Sequence, residues 1–318
     1  MGDPYSALRI VYRKNLMQKV LAFIRLSRPT FLAGGMVLYA LGAAVARYEG
    51  VVLTWGVYWT GQAGVTAVQL MTHYLNEFWD FEADRLNRNR TFWSGGSGVL
   101  PQGLLSPQTA LFAAMICAGV AVVVLGVLVR NYHPGTTGIL IFALAFLGAF
   151  FYSTPPARLA ASGYGELTTS VIVAGLVPMF SYQLQSGRLS DLVLLASLPL
   201  ILLSFAMLLA FEFPDHLADE AAGKRTLVVR LGARAGRGIH NSLLVATYLA
   251  LGMSVLMGLP TRIVLGALIP LPLAIFQAWL LWQIARGAPI AWSRLTFGAT
   301  ALYALTAYML AFGFWSLG

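Results

Sequence analysis

Charge is scarce in this sequence. Of its 318 residues, 10% are Asp, Glu, Lys or Arg, whereas a soluble domain carries about 25%. So few charged side chains cannot cover a water-facing surface, which excludes an ordinary soluble globular protein. Hydrophobic residues make up 58% of the chain, and long apolar runs recur along it. Because a helix satisfies its own backbone hydrogen bonds in lipid, these runs predict an all-α integral membrane protein.

Cysteine is nearly absent as well. Cys117 is the single cysteine, so no disulfide can form within the chain. Its position in an apolar run favours a small buried side chain. Residues 44–46 resemble a signal-peptidase site, but the long polar leader before them and the many later spans favour an uncleaved N-terminus.

Nine apolar segments approach or exceed the length of about 20 residues that crosses a bilayer. They are residues 30–46, 53–76, 108–129, 136–152, 166–184, 191–212, 241–259, 263–283 and 296–317. Before them, residues 5–28 mix Lys and Arg with Leu, Ile, Val and Phe, which predicts an amphipathic helix on the membrane surface. The sequence thus predicts an amphipathic N-terminal segment, 1–29, and a single domain of about nine transmembrane helices, 30–318.

The net charge of +9 reflects membrane topology rather than nucleic-acid binding. With a cytoplasmic N-terminus, only Arg47, Arg130, Arg188 and Arg262 of the 21 Lys and Arg residues lie on the far side. This asymmetry follows the positive-inside rule. We therefore expect an N-terminus inside the cell, in the plasma membrane, and no nucleic-acid or protein partner.

Acidic side chains are scarcer than basic ones, and most of them lie in two clusters. The first cluster follows the second span and the other follows the sixth, so both end on the cytoplasmic side of the predicted topology. Of the twelve acids, eight belong to these clusters: Glu77, Asp80, Glu82 and Asp84, and Glu212, Asp215, Asp219 and Glu220.

Both clusters have the spacing of one helix face. Asn76, Asp80 and Asp84 are four residues apart, as are Asp215 and Asp219. Two carboxylates about 6 Å apart repel by about 3 kcal/mol at an effective dielectric constant near 20. A bound cation would compensate this cost, and a set of oxygen ligands favours Mg²⁺. We therefore predict that the four aspartates bind two or three Mg²⁺ ions, which hold a diphosphate.

Basic residues next to each cluster are candidate partners of that diphosphate. Lys224 and Arg225 follow the second cluster, and both side chains can bind phosphate oxygens. Arg88 and Arg90 follow the first cluster together with Arg85. These arginines either contact the diphosphate or serve only as positive-inside anchors, and the sequence leaves both interpretations open.

These motifs resemble those of the UbiA superfamily of intramembrane aromatic prenyltransferases. Its first signature, Asn-x3-Asp-x3-Asp, matches Asn76, Asp80 and Asp84. Its second, Asp-x3-Asp followed by Gly-Lys-Arg-Thr-Leu, matches Asp215 and Asp219 and then residues 223–227. The segment "RLSRPTFL" at 25–32 resembles the start of the family's first span, and the nine spans fit its nine-helix fold.

Two further segments resemble the menaquinone branch of this superfamily, which prenylates 1,4-dihydroxy-2-naphthoate. They are "SGGSGVLPQGLLSP" at 94–107 and "FYSTPPARLAASGYGEL" at 150–167. Many members of that branch have Asn immediately before Asp in the first motif, whereas Phe78 and Trp79 precede Asp80 here. Other acceptors therefore stay open: 4-hydroxybenzoate, homogentisate, a chlorin or an archaeal lipid.

The resemblance implies Mg²⁺-dependent transfer of a polyprenyl group from its diphosphate to an aromatic ring. It implies Mg²⁺ ligands at Asp80, Asp84, Asp215 and Asp219, and diphosphate contacts from Lys224 and Arg225. Asn76 would orient a metal-bound water or a diphosphate oxygen, unless it is a packing amide. Tyr152 would face the allylic cation with its ring, unless it is one of the tyrosines common at membrane interfaces. Glu166 and His73 are the candidate acceptor residues, unless Glu166 only favours a helix N-terminus. His73 and His216 either move a proton or have structural roles.

Two other classes of function compete with this interpretation. A cation-coupled transporter would explain paired intramembrane carboxylates, but not the Gly-Lys-Arg that follows the second pair. A structural membrane scaffold would need neither motif. At the local level, we expect Pro214 to end the sixth helix where the metal site begins, because proline lacks a backbone donor.

Overall fold

Helices form almost all of the ordered structure of this chain. The computed structural model describes residues 6–288 and 291–318, with side chains from residue 16 onward. Within these ranges there is no strand, as predicted. The helices are α1 Ser6–Leu26, α2 Pro29–Tyr48, α3 Trp55–Trp79, α4 Phe81–Leu86, α5 Pro107–Tyr132, α6 Gly135–Ser153, α7 Gly165–Ser186, α8 Asp191–Ala221, α9 Leu227–Leu256, α10 Thr261–Ala285 and α11 Trp292–Leu317.

Nine of the helices in the described ranges occupy the nine predicted spans. Eight of them are both long and apolar enough to cross a membrane: α2, α5, α6, α7, α8, α9, α10 and α11. The ninth, α3, has 25 residues and is therefore about 37 Å long, enough to span the hydrocarbon core. Its lower hydropathy comes from polar residues such as Gln69, His73 and Asn76, which line an internal cavity. The chain is therefore an integral membrane protein.

Small residues let neighbouring helices approach closely in the centre of the bundle. α2 packs against α7 and α11, α3 against α5, and α8 against α9. At Gly42 of α2, a Cβ atom would lie 2.0 Å from the carbonyl oxygen of Pro178 in α7. Only glycine fits this contact, which is the way small residues bring helices together in lipid. Leu38 of α2 and Val177 of α7, close to this contact in the sequence, line the internal cavity.

The helix of the sixth span is longer than predicted and contains two prolines in its interior. α8 continues through Pro199 and Pro214 to Ala221, so the expectation that Pro214 ends the helix is wrong. A proline removes one backbone hydrogen bond, but transmembrane helices tolerate it where neighbouring groups satisfy the freed carbonyl. The extra turns keep Asp215 and Asp219 on one regular helix at the membrane boundary.

α7 contains a widened segment. It begins as an α-helix at Gly165, widens into a π-helix over Val171–Leu176, and returns to α-helix until Ser186. Ile172, Val173 and Leu176 of the wide segment line the cavity. Wide turns of this kind are frequent at functional sites.

The N-terminal segment forms a helix, as its sequence predicts. α1 runs over Ser6–Leu26, and Leu16, Val20 and Ile24 are exposed four residues apart along one face. Its location on a membrane surface stays a prediction, and so does the division of the chain at residue 29.

Candidate active site

The two acidic motifs meet at one end of the bundle. Asp80 ends α3 and Asp84 lies in α4, while Asp215 and Asp219 occupy the last turns of α8. The ammonium nitrogen of Lys224 lies 2.9 Å from Oδ2 of Asp80 and 3.2 Å from Oδ1 of Asp219. One cation therefore contacts both motifs, which places them on the same side of the membrane.

Two asparagines orient the carboxylates. Asn76 donates from Nδ2 to Oδ2 of Asp80 at 2.6 Å and to the hydroxyl of Ser153 at 3.3 Å. Asn87, in the loop after α4, donates from Nδ2 to Oδ1 of Asp215 at 2.7 Å. Asn87 thus forms a second link between the motifs. Such bonds fix the rotamers of the carboxylates before any ligand binds.

Asp84 is buried beneath the loop that contains Gly95, Gly96 and Gly98, which we call the glycine loop. Its side-chain atom Oδ2 is enclosed and has no hydrogen-bond partner. A Cβ atom on Gly96 would lie 1.9 Å from this oxygen, and Gly96 has φ +71°, a conformation that glycine adopts without strain. Burial, with the nearby Asp80 and Glu77 carboxylates, raises the pKa of Asp84 well above its usual range, although Arg28 and Lys224 oppose this effect.

Lys224 remains charged in this environment. Burial by itself lowers the pKa of its ammonium group, but the adjacent carboxylates of Asp80 and Asp219 outweigh burial and raise the pKa above its ordinary value. Lys224 and Arg28 are the cationic side chains that line the internal cavity among the described residues, and Arg28 is already paired with Glu77, whereas Asp80, Asp84, Asp215 and Asp219 supply four carboxyl groups. That imbalance leaves room for further cations.

Glu77 belongs to the first acidic cluster in sequence but has a structural role. It accepts from Arg28 at 3.0 Å (Nε) and 2.6 Å (Nη2). The backbone N–H of Ser97 donates to it at 2.6 Å, and the Ser97 hydroxyl donates at 2.7 Å. Both oxygens of Glu77 are thus satisfied, and the contacts attach the glycine loop to α3.

A cavity of about 480 Å³ extends from the carboxylates into the bundle. Asp80, Asp84, Asp215, Asp219 and Lys224 line its polar end. The walls beyond them come from α2, α3, α6, α7, α8 and α11 and are mostly apolar. They include Phe31, Val37, Leu38, Val65, Val68, Ile141, Phe142, Ile172, Val173, Leu176, Val177, Phe180, Met207, Leu208 and Phe211. The arrangement suits a ligand with an anionic head and a hydrocarbon tail.

Most of the other predicted site residues also reach this cavity. Asn76, Tyr152, Glu166 and His73 all line it. Nδ1 of His73 lies 3.0 Å from the carbonyl oxygen of Ser27, which fixes its ring.

The predicted arginines and His216 lie outside the cavity lining. Arg88 and Arg225 are exposed. Arg90 donates from Nε to the carbonyl oxygen of Gly95 at 2.7 Å and from Nη2 to that of Asp84 at 2.9 Å, so it braces the glycine loop. Nδ1 of His216 lies 2.8 Å from the carbonyl oxygen of Phe213.

Several residues of the site were not predicted from the sequence. Asn87, Ser153, Gly96 and Glu212 had no assigned role. Glu212 accepts the backbone N–H of Val228 at 2.7 Å through Oε2, while its Oε1 is buried without a partner. The only signal for Glu212 was its membership of the second acidic cluster, three residues before Asp215.

The family profile described as "UbiA prenyltransferase family" matches residues 35–301. The chain belongs to this family. Two curated relatives are similar to it at low identity. One is a 1,4-dihydroxy-2-naphthoate octaprenyltransferase of Bacillus subtilis (strain 168), 24% identical over 65% of each chain. The other, a 2-carboxy-1,4-naphthoquinone phytyltransferase of Synechocystis sp., is 32% identical over 37% of this chain and 38% of its own. The match thus spans just under two thirds of the Bacillus relative's length.

Solved structures of the UbiA family share the fold. One is a UbiA homolog from Archaeoglobus fulgidus bound to GPP and Mg²⁺. It superposes with a TM-score of 0.64 at 15% identity and covers 93% of this chain and 99% of that one. At this identity the likeness concerns the fold.

The residues of this UbiA site fit a hard divalent cation. In the described part of the chain, no group of three or more His, Cys, Asp or Glu side chains is already arranged as a metal site. Lys224 lies between Asp80 and Asp219 instead. However, the donors are oxygens, and Oδ2 of Asp84 is buried without a partner. Mg²⁺ prefers such oxygens, and it commonly takes one or two carboxylates together with substrate phosphates.

Proposed function

We propose that this UbiA-family protein is a Mg²⁺-dependent prenyltransferase, which moves a polyprenyl group from its diphosphate to an aromatic acceptor. One observation supports this most strongly: carboxylates from both motifs and Lys224 surround the polar end of an apolar cavity. A prenyl diphosphate has the matching shape, with an anionic head and a hydrocarbon tail. The tail would lie along the apolar walls of α2, α6, α7 and α8.

The metal ligands would be Asp80, Asp84, Asp215 and Asp219. Bound Mg²⁺ would neutralise the charge of the diphosphate, so that the allylic C–O bond can ionise. Lys224 would add positive charge at the same end of the cavity. The apolar walls exclude the water that would otherwise quench the allylic cation.

Polar residues near the carboxylates would position the reacting groups. Asn76 would hold Asp80 in position for metal binding through the 2.6 Å hydrogen bond. Tyr152 lines the cavity and would face the allylic cation with its ring. Arg90 would act indirectly, by bracing the glycine loop over Asp84. We propose only outer, electrostatic roles for Arg88 and Arg225, since neither lines the cavity.

For the acceptor we propose 1,4-dihydroxy-2-naphthoate, used in menaquinone biosynthesis. The support is the similarity to the Bacillus subtilis naphthoate octaprenyltransferase and the two segments at 94–107 and 150–167. Glu166 and His73 line the cavity and would lie on the acceptor side. We also propose that this end of the bundle faces the cytoplasm, in accordance with the distribution of Lys and Arg.

The test uses the purified protein in nanodiscs with radiolabelled prenyl diphosphates, Mg²⁺ and a panel of aromatic acceptors. We expect a prenylated naphthoate, identified by mass spectrometry, and loss of product when EDTA removes the metal. If another acceptor of the panel is prenylated instead, the acceptor proposal is wrong. If no acceptor is prenylated and liposomes containing the protein show ion-dependent flux, the protein is a transporter.

A further inference from the structure

Two buried glutamates stand beside the metal motifs and have no part in metal binding as proposed above. Glu166 lies in the first turn of α7, and Glu212 lies one turn before Asp215 in α8. The residues are only 6% and 7% exposed, and both line the cavity. Their carboxyl groups lie within hydrogen-bonding range of each other. They thus form one unit, the glutamate pair.

The hydrogen-bond partners of the glutamate pair are incomplete. Oε2 of Glu212 accepts the backbone N–H of Val228 at 2.7 Å, whereas Oε1 of Glu212 and Oε2 of Glu166 are buried with no partner. The ammonium group of Lys224 contacts Asp80 and Asp219 instead. One buried oxygen of each carboxyl group therefore has no hydrogen-bond donor from the described residues, and a ligand in the cavity can supply it. The pair therefore offers two unpartnered carboxyl oxygens as hydrogen-bond acceptors to a ligand in the cavity.

We propose that the glutamate pair, Glu166 and Glu212, binds a free ring hydroxyl of the aromatic acceptor and takes its proton during prenyl transfer. This inference rests on the proposed prenyltransferase function and deepens it. A ring hydroxyl donates a hydrogen bond, which matches a buried carboxyl oxygen that has no donor. An acceptor carboxylate would be repelled by the same pair. The substrate class is therefore a phenol or naphthol whose acidic substituent points away from the pair.

The proposed step is balanced in atoms and charge. A ring carbon forms the new C–C bond with the allylic carbon, whose C–O bond breaks and leaves its electron pair on the diphosphate. The hydroxyl passes its proton to the glutamate pair, so a neutral dienone forms. The ring carbon then passes its own proton to the released diphosphate, and the oxygen regains the first proton from the pair. The net proton leaves with the diphosphate, and the pair returns to its starting state.

The experiment compares a free hydroxyl with a blocked one. The probes are 1,4-dihydroxy-2-naphthoate and its two monomethyl ethers, with geranyl diphosphate and Mg²⁺ in nanodiscs. The variants are Glu166→Gln and Glu212→Gln, which keep the shape of the side chain. Glu82→Gln is the matched control, because Glu82 lies in α4 near the same end and its side chain is 65% exposed.

The wild type and the Glu82→Gln variant should use one monomethyl ether with kcat/KM reduced about 100-fold. Each glutamine variant of the pair should lose about 100-fold with the free dihydroxy acceptor. For each of these variants, kcat/KM with the ether should be at most about threefold lower than with the free dihydroxy acceptor. The two losses do not add, since the hydroxyl and the carboxyl act as one coupled unit. Binding of Mg²⁺ and geranyl diphosphate, measured without acceptor, should stay within about twofold of the wild type.

Three results would overturn the inference. The first is equal discrimination between hydroxyl and ether in the wild type and in the variants. The second is a loss of donor binding that parallels the loss of activity. The third is full activity of both glutamine variants. If the glutamine variants do not fold, Glu166→Asp and Glu212→Asp replace them, and the same comparison of acceptors decides. A wild type that binds donor but prenylates no aromatic would refute the proposed function itself.

Discussion

The two ends of this bundle differ in how far their acidic side chains are satisfied by hydrogen bonds. At the end away from the acidic motifs, Glu49 accepts hydrogen bonds from Tyr182 and Ser190, and Arg188 lies 3.5 Å away. At the motif end, Asp84, Glu166 and Glu212 each keep a buried oxygen without a partner. A buried polar group without a partner costs roughly 1–3 kcal/mol. A satisfied acid therefore stabilises the fold, whereas an unsatisfied one is available to a ligand.

The same contrast exists within a single segment. Glu77 has four hydrogen bonds, from Arg28 and Ser97, while Asp84, seven residues later, has an unpartnered oxygen. Membership of an acidic cluster thus does not by itself identify a metal ligand. The hydrogen-bond partners of each carboxylate separate the two roles.

The largest effect should come from the proposed metal ligands. Changing Asp80→Asn or Asp215→Asn should reduce prenyl-transfer turnover by more than about 100-fold, because a ligand loses its charge. The thermal unfolding temperature in detergent should change little. Asp191→Asn is the matched control, since Asp191 lies at the opposite end of the same helix as Asp215 and is exposed. Turnover within threefold of the wild type in either site variant would contradict the assignment.

The glycine loop offers the next largest effect. In Gly96→Ala the new Cβ would lie 1.9 Å from Oδ2 of Asp84, so the carboxylate must move. We expect turnover to fall by about 10- to 100-fold, because small displacements of reacting groups are costly. Gly103→Ala is the control for backbone strain, since Gly103 has φ +68° and open space around its Cβ position. Equal losses in both variants would show that strain alone is responsible.

A satisfied acid at the motif end should affect stability more than activity. Glu77→Gln leaves the Arg28 guanidinium without its counter-charge and should lower the free energy of unfolding by about 3 kcal/mol. The measurement is denaturant unfolding in mixed micelles, together with turnover per folded molecule. That turnover should exceed the turnover of Asp80→Asn by at least about tenfold. A variant that is stable but inactive would place Glu77 among the functional carboxylates.

The smallest effect is expected at the far end. Glu49→Gln retains one carbonyl oxygen for Tyr182 or Ser190 and should cost about 1 kcal/mol of stability. Turnover should equal that of the wild type. A clear loss of turnover at constant stability would contradict the structural role of Glu49.

The sequence predicted the large-scale features of this fold well. The nine apolar runs predicted nine membrane helices, and the parity of the spans correctly placed both acidic motifs on one side. Four-residue spacing correctly placed Asp215 and Asp219 on one helix, whereas Asp80 lies between α3 and α4 and Asp84 lies in α4. All four aspartates nevertheless line one cavity. These features depend on local periodicity and on the length of a bilayer-crossing helix, and both can be read directly from the sequence.

The predictions missed the contacts between distant parts of the chain. Asn87 and Asp215 are 128 residues apart, and no local pattern indicates that they form a hydrogen bond. Arg90 stood beside the first motif, yet its guanidinium braces the carbonyl oxygens of a loop rather than lining the cavity. The expectation that Pro214 ends its helix came from a rule for isolated helices. In α8, neighbouring groups can satisfy the freed carbonyl, so the helix continues.

The wide segment of α7 has a consequence for the glutamate pair. A π turn contains one residue more than the α turn it replaces, so it rotates the preceding part of a helix by about 100° relative to the following part. Glu166 lies just before the segment Val171–Leu176, and Phe180 lies just after it, yet both line the cavity. A chain shorter by one residue in that segment would keep the apolar wall but turn the Glu166 carboxyl away from Glu212. The rotation of the first turn of α7 about the helix axis thus decides whether the Glu166 carboxyl group lies next to that of Glu212.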